Sequence, residues 1–191
     1  MNEVFVEAVG LAAPGLSTWN AAQPILRGEQ TYVSQPLQPH APALLPANER
    51  RRATPTIRLA FQAAEDALQA TTIAPASLAT VFASSDADLG IIHRICSALT
   101  VMPRMISPTD FHNSVHNAAA GYWTIAVGAR GNATTLSAYD YSFAAGLFEA
   151  CNTILVDGSN TLLVAFDTPP PEPLLEKRPI RVPTGVALVL T

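Results

Sequence analysis

Apolar and polar positions along the chain change period several times, and each change marks a new element. Residues 4–9 alternate and predict a strand, and residues 16–27 predict a short helix carrying Trp19. Residues 28–48 hold four prolines and little periodicity, which predicts an extended surface segment. In residues 49–70 the apolar positions Ile57, Leu59, Ala60, Phe61, Ala64 and Leu68 form one wide face and predict a helix. A short buried strand follows at 80–84, then a helix at 86–99 begun by Asp86 or Asp88, then a turn at 101–104 with Pro103. The apolar run 161–166 predicts a strand covered on both faces, and 185–190 predicts another. Between them, residues 167–183 hold six prolines and mutually cancelling charges at Glu172, Glu176, Lys177 and Arg178, and predict an arm.

The most ordered pattern runs from 106 to 158. Residues 106–112 read as a loop, because Pro108 disfavours the helical region at Ser107. Asn113 or Ser114 then caps a helix that continues to about Ala129, where Gly128, Arg130 and Gly131 stop it. Its centre, Ala118 to Gly121, is so poor in side chain that it predicts close approach to another backbone. Residues 133–138 predict a short strand, 139–142 a polar elbow, and 143–156 a helix whose buried face carries Phe143, Leu147, Phe148, Cys151, Ile154 and Leu155. Alternating strands and helices predict an α/β fold with a mixed, mostly parallel sheet flanked by helices, in one domain spanning 1–191.

Composition sharpens this picture. Of the 191 residues 49% are hydrophobic and 14% charged, an apolar balance that predicts a large surface covered by a partner. Net charge is −4 and no basic stripe extends beyond Arg50 to Arg52, so nucleic acid is not an expected partner. No apolar run reaches the length of a membrane span, the acidic N-terminus does not read as a signal peptide, and the cytoplasm is the expected location. Cys96 and Cys151 lie on apolar helical faces and are expected to be small buried hydrophobes.

An elbow from strand into helix is where an α/β protein presents a nucleophile, near the positive end of the helix. Here the elbow carries Tyr139, Asp140, Tyr141 and Ser142. With His116 upstream, Asp140 and Ser142 outline a hydrolase-like trio, although no Gly-x-Ser-x-Gly elbow is present. His112, His116 and Asp140 suggest a relay or metal site, yet no third close ligand motif accompanies them, and bonds to loop carbonyls account for the histidines equally well. No cofactor or metal is expected. Arg50 to Arg52 suit either an acidic partner surface or the chain's own carboxylates.

These residues resemble the N-terminal half of a β-ketoacyl synthase of the thiolase-like group. The resemblance rests on Ile106-Ser107-Pro108, on Val115-His116-Asn117 with the following small-residue helix to Gly131, and on the helix ending at Asp157-Gly158. It extends back to Trp19, Gly28 and Arg50 to Arg52, covering roughly the whole chain. It implies a thiolase-like half fold. The family's catalytic cysteine falls on Asp140 counted from Ile106, or on Tyr141 counted back from Gly158, and neither is cysteine. The family's two catalytic histidines belong to a C-terminal half that this chain is expected to lack.

The resemblance is strongest to short ketosynthase-like chain length factors of the aryl polyene type. It implies a non-catalytic subunit that forms a heterodimer with a full-length β-ketoacyl synthase, meets acyl carrier protein through that complex, and limits product length. It further implies that the segment 132–138, with Thr134, Thr135 and Leu136, pairs across the dimer axis. Met105, Ile106, Phe111, His112, Val115 and Tyr139 are then expected at the acyl tunnel or interface. Two other readings stay open: an acyl hydrolase or acyltransferase using Asp140, Ser142 and His116, and a purely structural synthase subunit.

Overall fold

A mixed sheet organises the computed structural model, which describes residues 3–191; Met1 and Asn2, the start of the acidic N-terminal segment, lie outside them. Its strands are Val6–Ala12 (β1), Ala79–Ala83 (β2), Ala133–Leu136 (β3), Thr161–Asp167 (β4) and Thr184–Leu190 (β5). They lie in the order β1-β5-β4-β2-β3. The β2 strand pairs in parallel with β3 and β4, while β5 pairs antiparallel with β1 and β4, so parallel and antiparallel pairings are evenly divided. The helices are Trp19–Leu26 (α1), Ala47–Arg52 (α2), Pro55–Leu68 (α3), Leu89–Leu99 (α4), Pro108–Asn113 (α5), Ala118–Val127 (α6), Ser142–Asp157 (α7) and Leu174–Lys177 (α8).

The α/β class and the thiolase-like half fold expected from the sequence are those observed. Alternation within the central strands divides the core. Phe82, Leu162, Val164, Ala187 and Val189 point toward α3 and α6, where the rings of Phe61 and Trp123 meet at a tilt of 57° with centroids 5.2 Å apart. Val81, Ala83, Leu163 and Leu190 point the other way, toward α7. Gly10 lets α3 press against β1, since a Cβ there would stand 2.0 Å from the Ala63 carbonyl oxygen.

Several expected elements differ, each for a local reason. The helix expected at 49–70 is two helices, because Pro55 occupies the first turn of α3 and the Thr54 hydroxyl caps it. Residues 108–113 are helical rather than loop: Ser107 accepts from the Asp110 amide as N-cap, and Pro108 takes the first helical position. The helix expected from 113 to 129 therefore begins later, as α6 at Ala118 with Asn117 before it, while Asn113 ends α5; α6 stops at left-handed Gly128, where a stop was expected. Asp88, not Asp86, caps α4, accepting from the Ile91 amide at 3.0 Å. The arm at 167–183 contains α8. Cys96 is exposed and Cys151 half-buried, so neither is the fully buried hydrophobe expected.

The largest correction concerns α7. The face packed on the sheet is Ser142, Gly146, Ala150 and Thr153, whereas Phe143, Phe148 and Leu155 are exposed. Helix and sheet approach too closely for large side chains: a Cβ on Gly146 would lie 2.8 Å from Ala83 Cβ and 2.9 Å from Leu163 Cδ1.

Candidate functional site

The strand β3 ends at Leu136, and the chain turns through a short 3-10 turn, Tyr139–Tyr141, into α7. Buried Ser142 closes this elbow. Its hydroxyl accepts from the Ala138 amide at 3.0 Å and donates to the Tyr139 carbonyl at 2.7 Å. Tyr139 has φ of 55°, in the left-handed region that bulky residues rarely adopt. Asp140 and Tyr141, where the family's cysteine was expected to fall, both face outward; Tyr141 is 76% exposed.

The ends of β2 and β4 meet the same rim. Asp167 accepts from Ser84 Oγ at 3.0 Å, from the Ser85 amide at 2.9 Å and from Ser85 Oγ at 2.8 Å. Ser84 Oγ in turn accepts from the Ala87 amide, and Ala87 is the second non-glycine residue at positive φ, 56°. Ser137, just past β3, donates to the Ser85 carbonyl at 2.6 Å. Arg178 on the arm completes the cluster. Its Nε donates to Asp86 at 2.6 Å, its Nη1 to Asp140 at 2.9 Å, and its guanidinium lies 3.8 Å from the centre of the Tyr139 ring. Burial alone would lower the Arg178 pKa, but the hydrogen bonds it donates to the Asp86 and Asp140 carboxylates, with the contact to Tyr139, outweigh it and raise the pKa above its ordinary value.

Sequence reasoning missed Arg178, Asp86, Asp167, Ser84 and Ser85 as members of one cluster. Arg178 is 38 residues from Asp140 and 92 from Asp86, so no local spacing joins them. The available signal was topological: strand ends of a parallel sheet share one rim.

The hydrolase-like trio is not assembled. Ser142 is bonded to its own turn and Asp140 to Arg178, while His116 lies beside Asn113, Asp88 and Ala119. Among the described residues no hydrogen bond joins the three, and no group of His, Cys, Asp and Glu forms a metal-binding cluster. His112 is exposed and sets its ring edge-on to Tyr122 at 6.3 Å. Arg50 is turned inward to the carbonyls of Ala43 and Leu45, leaving Arg51 and Arg52 at the surface.

The remaining expected site residues fall in two places. Met105 (75% exposed), Phe111 (69%) and Val115 stand out from α5 and its flanking loops, with Ile106 half-buried among them. Arg94 on α4 clasps Asp110 on α5 through bonds of 3.0 and 2.8 Å, which fixes this projection and holds the Asp110 carboxyl below its ordinary range. Thr134, Thr135 and Leu136 form β3, an edge of the sheet. The Thr80 and Ser84 amides donate to the carbonyls of Asn132 and Leu136, so by alternation the polar groups of Thr135 point away from β2. Beside that edge a groove of about 360 Å³ is lined by Asn117, Ala120, Gly121, Thr124, Ala133 and Thr135. A Cβ on Gly121 would meet nothing within 4 Å, so among the described residues no backbone makes the close approach expected at this glycine.

Comparison with known proteins fits this architecture. The profile of the family described as β-ketoacyl synthase, N-terminal domain, matches residues 19–191. No curated protein matches the sequence. Among solved structures, a ketosynthase (ApeO) in complex with its chain length factor (ApeC) from Xenorhabdus doucetiae is similar at 28% identity and TM-score 0.81. That match covers 100% of this chain and 79% of the other. The ishigamide ketosynthase/chain length factor matches at 13% identity and TM-score 0.76, over 99% of this chain and 62% of the other. A type II acyl-carrier protein in complex with its hexaketide-bound ketosynthase, AntDE:AntF, matches at 19% identity and TM-score 0.73, over 98% and 62%. The last two show the fold alone, and the chain spans about three-fifths of their length. With the profile covering four of its five strands and its elbow, the chain belongs to the β-ketoacyl synthase N-terminal domain family.

Proposed function

We propose that the chain is a non-catalytic chain length factor, acting as a single ketosynthase-like N-terminal domain in the cytoplasm. It pairs with a full-length β-ketoacyl synthase in polyketide or aryl polyene-type biosynthesis and meets acyl carrier protein through that complex. The observation that carries this reading is the elbow. By the resemblance the position of the acyl-carrying thiolate falls on Asp140 or on Tyr141, and neither a carboxylate nor a phenol forms an equivalent thioester. Cys96 and Cys151 lie on α4 and α7, away from the elbow turn.

Similarity to a chain in a ketosynthase–chain length factor complex supports the choice of partner. So do two features that await a cover: the outward-facing edge of β3, and the exposed apolar side chains of α5 and α7. In this reading Thr134, Thr135, Leu136 and Tyr139 meet the partner. Met105, Ile106, Phe111, His112 and Val115 border its acyl tunnel.

The test is co-expression with a full-length ketosynthase carrying an intact cysteine. The pair should co-elute on size exclusion, and its product lengths should differ from those of the ketosynthase alone. Incubation with acyl- and malonyl-loaded carrier protein should leave the intact mass of this chain unchanged. A covalent acyl adduct on it would overturn the non-catalytic reading, and a stable complex with unchanged products would reduce the chain to a structural subunit.

A further inference from the structure

The arm between β4 and β5 is long, proline-rich and thinly attached. Among the described residues, the hydrogen bonds from residues 171–182 to the rest of the fold all come from the Arg178 side chain, which is 12% exposed. Its two carboxylate partners have something in common. Asp86 directly precedes Ala87, and Asp140 directly follows Tyr139, the two non-glycine residues held at positive φ. The Tyr139 ring itself lies beneath the guanidinium. One side chain from a third segment therefore touches both strained turns, at the ends of two neighbouring strands.

We propose that Arg178 is a positioning residue that sets the two left-handed turns at Ala87 and Tyr139, and with them the shape the elbow presents at the surface. The physical case is one of offset. A left-handed conformation at a residue bearing a Cβ is unfavourable and persists only where the surroundings over-determine it. Here the surroundings are two charge-assisted bonds and a cation–π contact from one planar fork, a combination that guanidinium supplies and ammonium does not. The inference stands whether or not the chain pairs with a synthase, because every group in it belongs to this chain.

Hydrogen exchange on the full-length chain, read by mass spectrometry, tests it. The reporting amides are hydrogen-bonded: Ala87 to Ser84 Oγ, Ala138 to Ser142 Oγ, Tyr141 to the Ala138 carbonyl and Ile180 to the Arg178 carbonyl. In Arg178→Ala all four should exchange at least tenfold faster, about 1.4 kcal/mol of local opening, while amides of β4 and β5 keep their wild-type rates. Arg178→Lys should fall between the two. Asp140→Asn, at a side chain 68% exposed and tolerant of change, should accelerate the elbow amides alone and leave Ala87 as in wild type. Adding Tyr139→Gly to Arg178→Ala should restore elbow protection, because glycine adopts φ of 55° without steric cost.

Unchanged elbow rates in Arg178→Ala or in Asp140→Asn would overturn the proposal. Equal acceleration of the strands would also overturn it, by making Arg178 a general stabiliser. Should Arg178→Ala fail to fold, Asp140→Asn decides the matter alone.

Discussion

A phenyl ring 69% exposed at position 111 makes few contacts within its own chain. Truncating it should then do little to the isolated protein: Phe111→Ala is expected to change stability by no more than about 0.5 kcal/mol, as at other surface sites. A ring packed in a core would cost about 3 to 5 kcal/mol on the same change. If the ring closes the acyl tunnel of a ketosynthase partner, as proposed, it sets the available length. Each further two-carbon unit admitted buries two methylene groups, about 0.8 kcal/mol apiece. Melting temperature and the mass spectrum of the products check both halves. Longer products from a pair of normal stability are expected, and unchanged lengths would place the tunnel end elsewhere. Phe111 could be named from the sequence because it adjoins a recognisable motif, whereas a charge pair 92 residues apart left no trace in spacing.

Among the elements, α6 and α7 each carry a mid-helix glycine, and the two should respond oppositely to one methyl group. At Gly146 an added Cβ collides with Ala83 and Leu163, and overpacking of about 1 to 3 kcal/mol outweighs the roughly 1 kcal/mol of helix propensity gained. Gly146→Ala should lower the melting temperature. At Gly121 the space is open, so Gly121→Ala should stabilise the isolated chain by up to about 1 kcal/mol while weakening its complex, if a partner's backbone fills that groove. A rise in melting temperature without loss of partner binding would clear the groove of that role. On β3, Thr135→Pro removes a donor that points away from β2, so the sheet should keep its stability while co-purification with the ketosynthase is lost. Retention of the partner at full yield would exclude the edge as the interface.

The α7 helix also shows why periodicity misleads. Helical spacing of apolar residues was correct, but the choice of buried face assumed that the largest residues go inside. Close helix–sheet packing selected the smallest, Gly146 and Ala150, and left Phe143 and Phe148 outside. Similarly, Ser107-Pro108 was read as a loop from the restriction on the residue before proline, when the same pair is a cap followed by the first helical position.

Across the whole molecule, alternating apolar segments made the α/β class legible and the motifs between Ile106 and Gly158 the family, whereas the strand order, which depends on contacts between distant segments, was not. Surfaces were not, because covered and uncovered apolar faces have the same composition. The 49% hydrophobic content predicted a covered surface without locating it; in the structure exposed large apolar side chains are concentrated on α7 and around α5, with others on β1, α1, α4 and α6. A permanent partner over these faces should bury more than about 2,000 Å² in total. The interface area of the reconstituted pair, from its crystal structure, checks this, and a value below about 1,200 Å² would indicate a transient encounter.

The outward Phe143, Phe148, Leu155 and Val156 of α7 carry a consequence for stoichiometry in the cell. A helix held to its own sheet by glycine and alanine, with its aromatic side chains turned away, resembles a folding intermediate to the chaperones and proteases that survey exposed apolar surface. The abundance of such a chain is then expected to follow the supply of whatever covers it. If the proposed partner covers this face, synthesis in excess of it should yield turnover or aggregate rather than a free pool, and one helix face would then require matched production of the two chains.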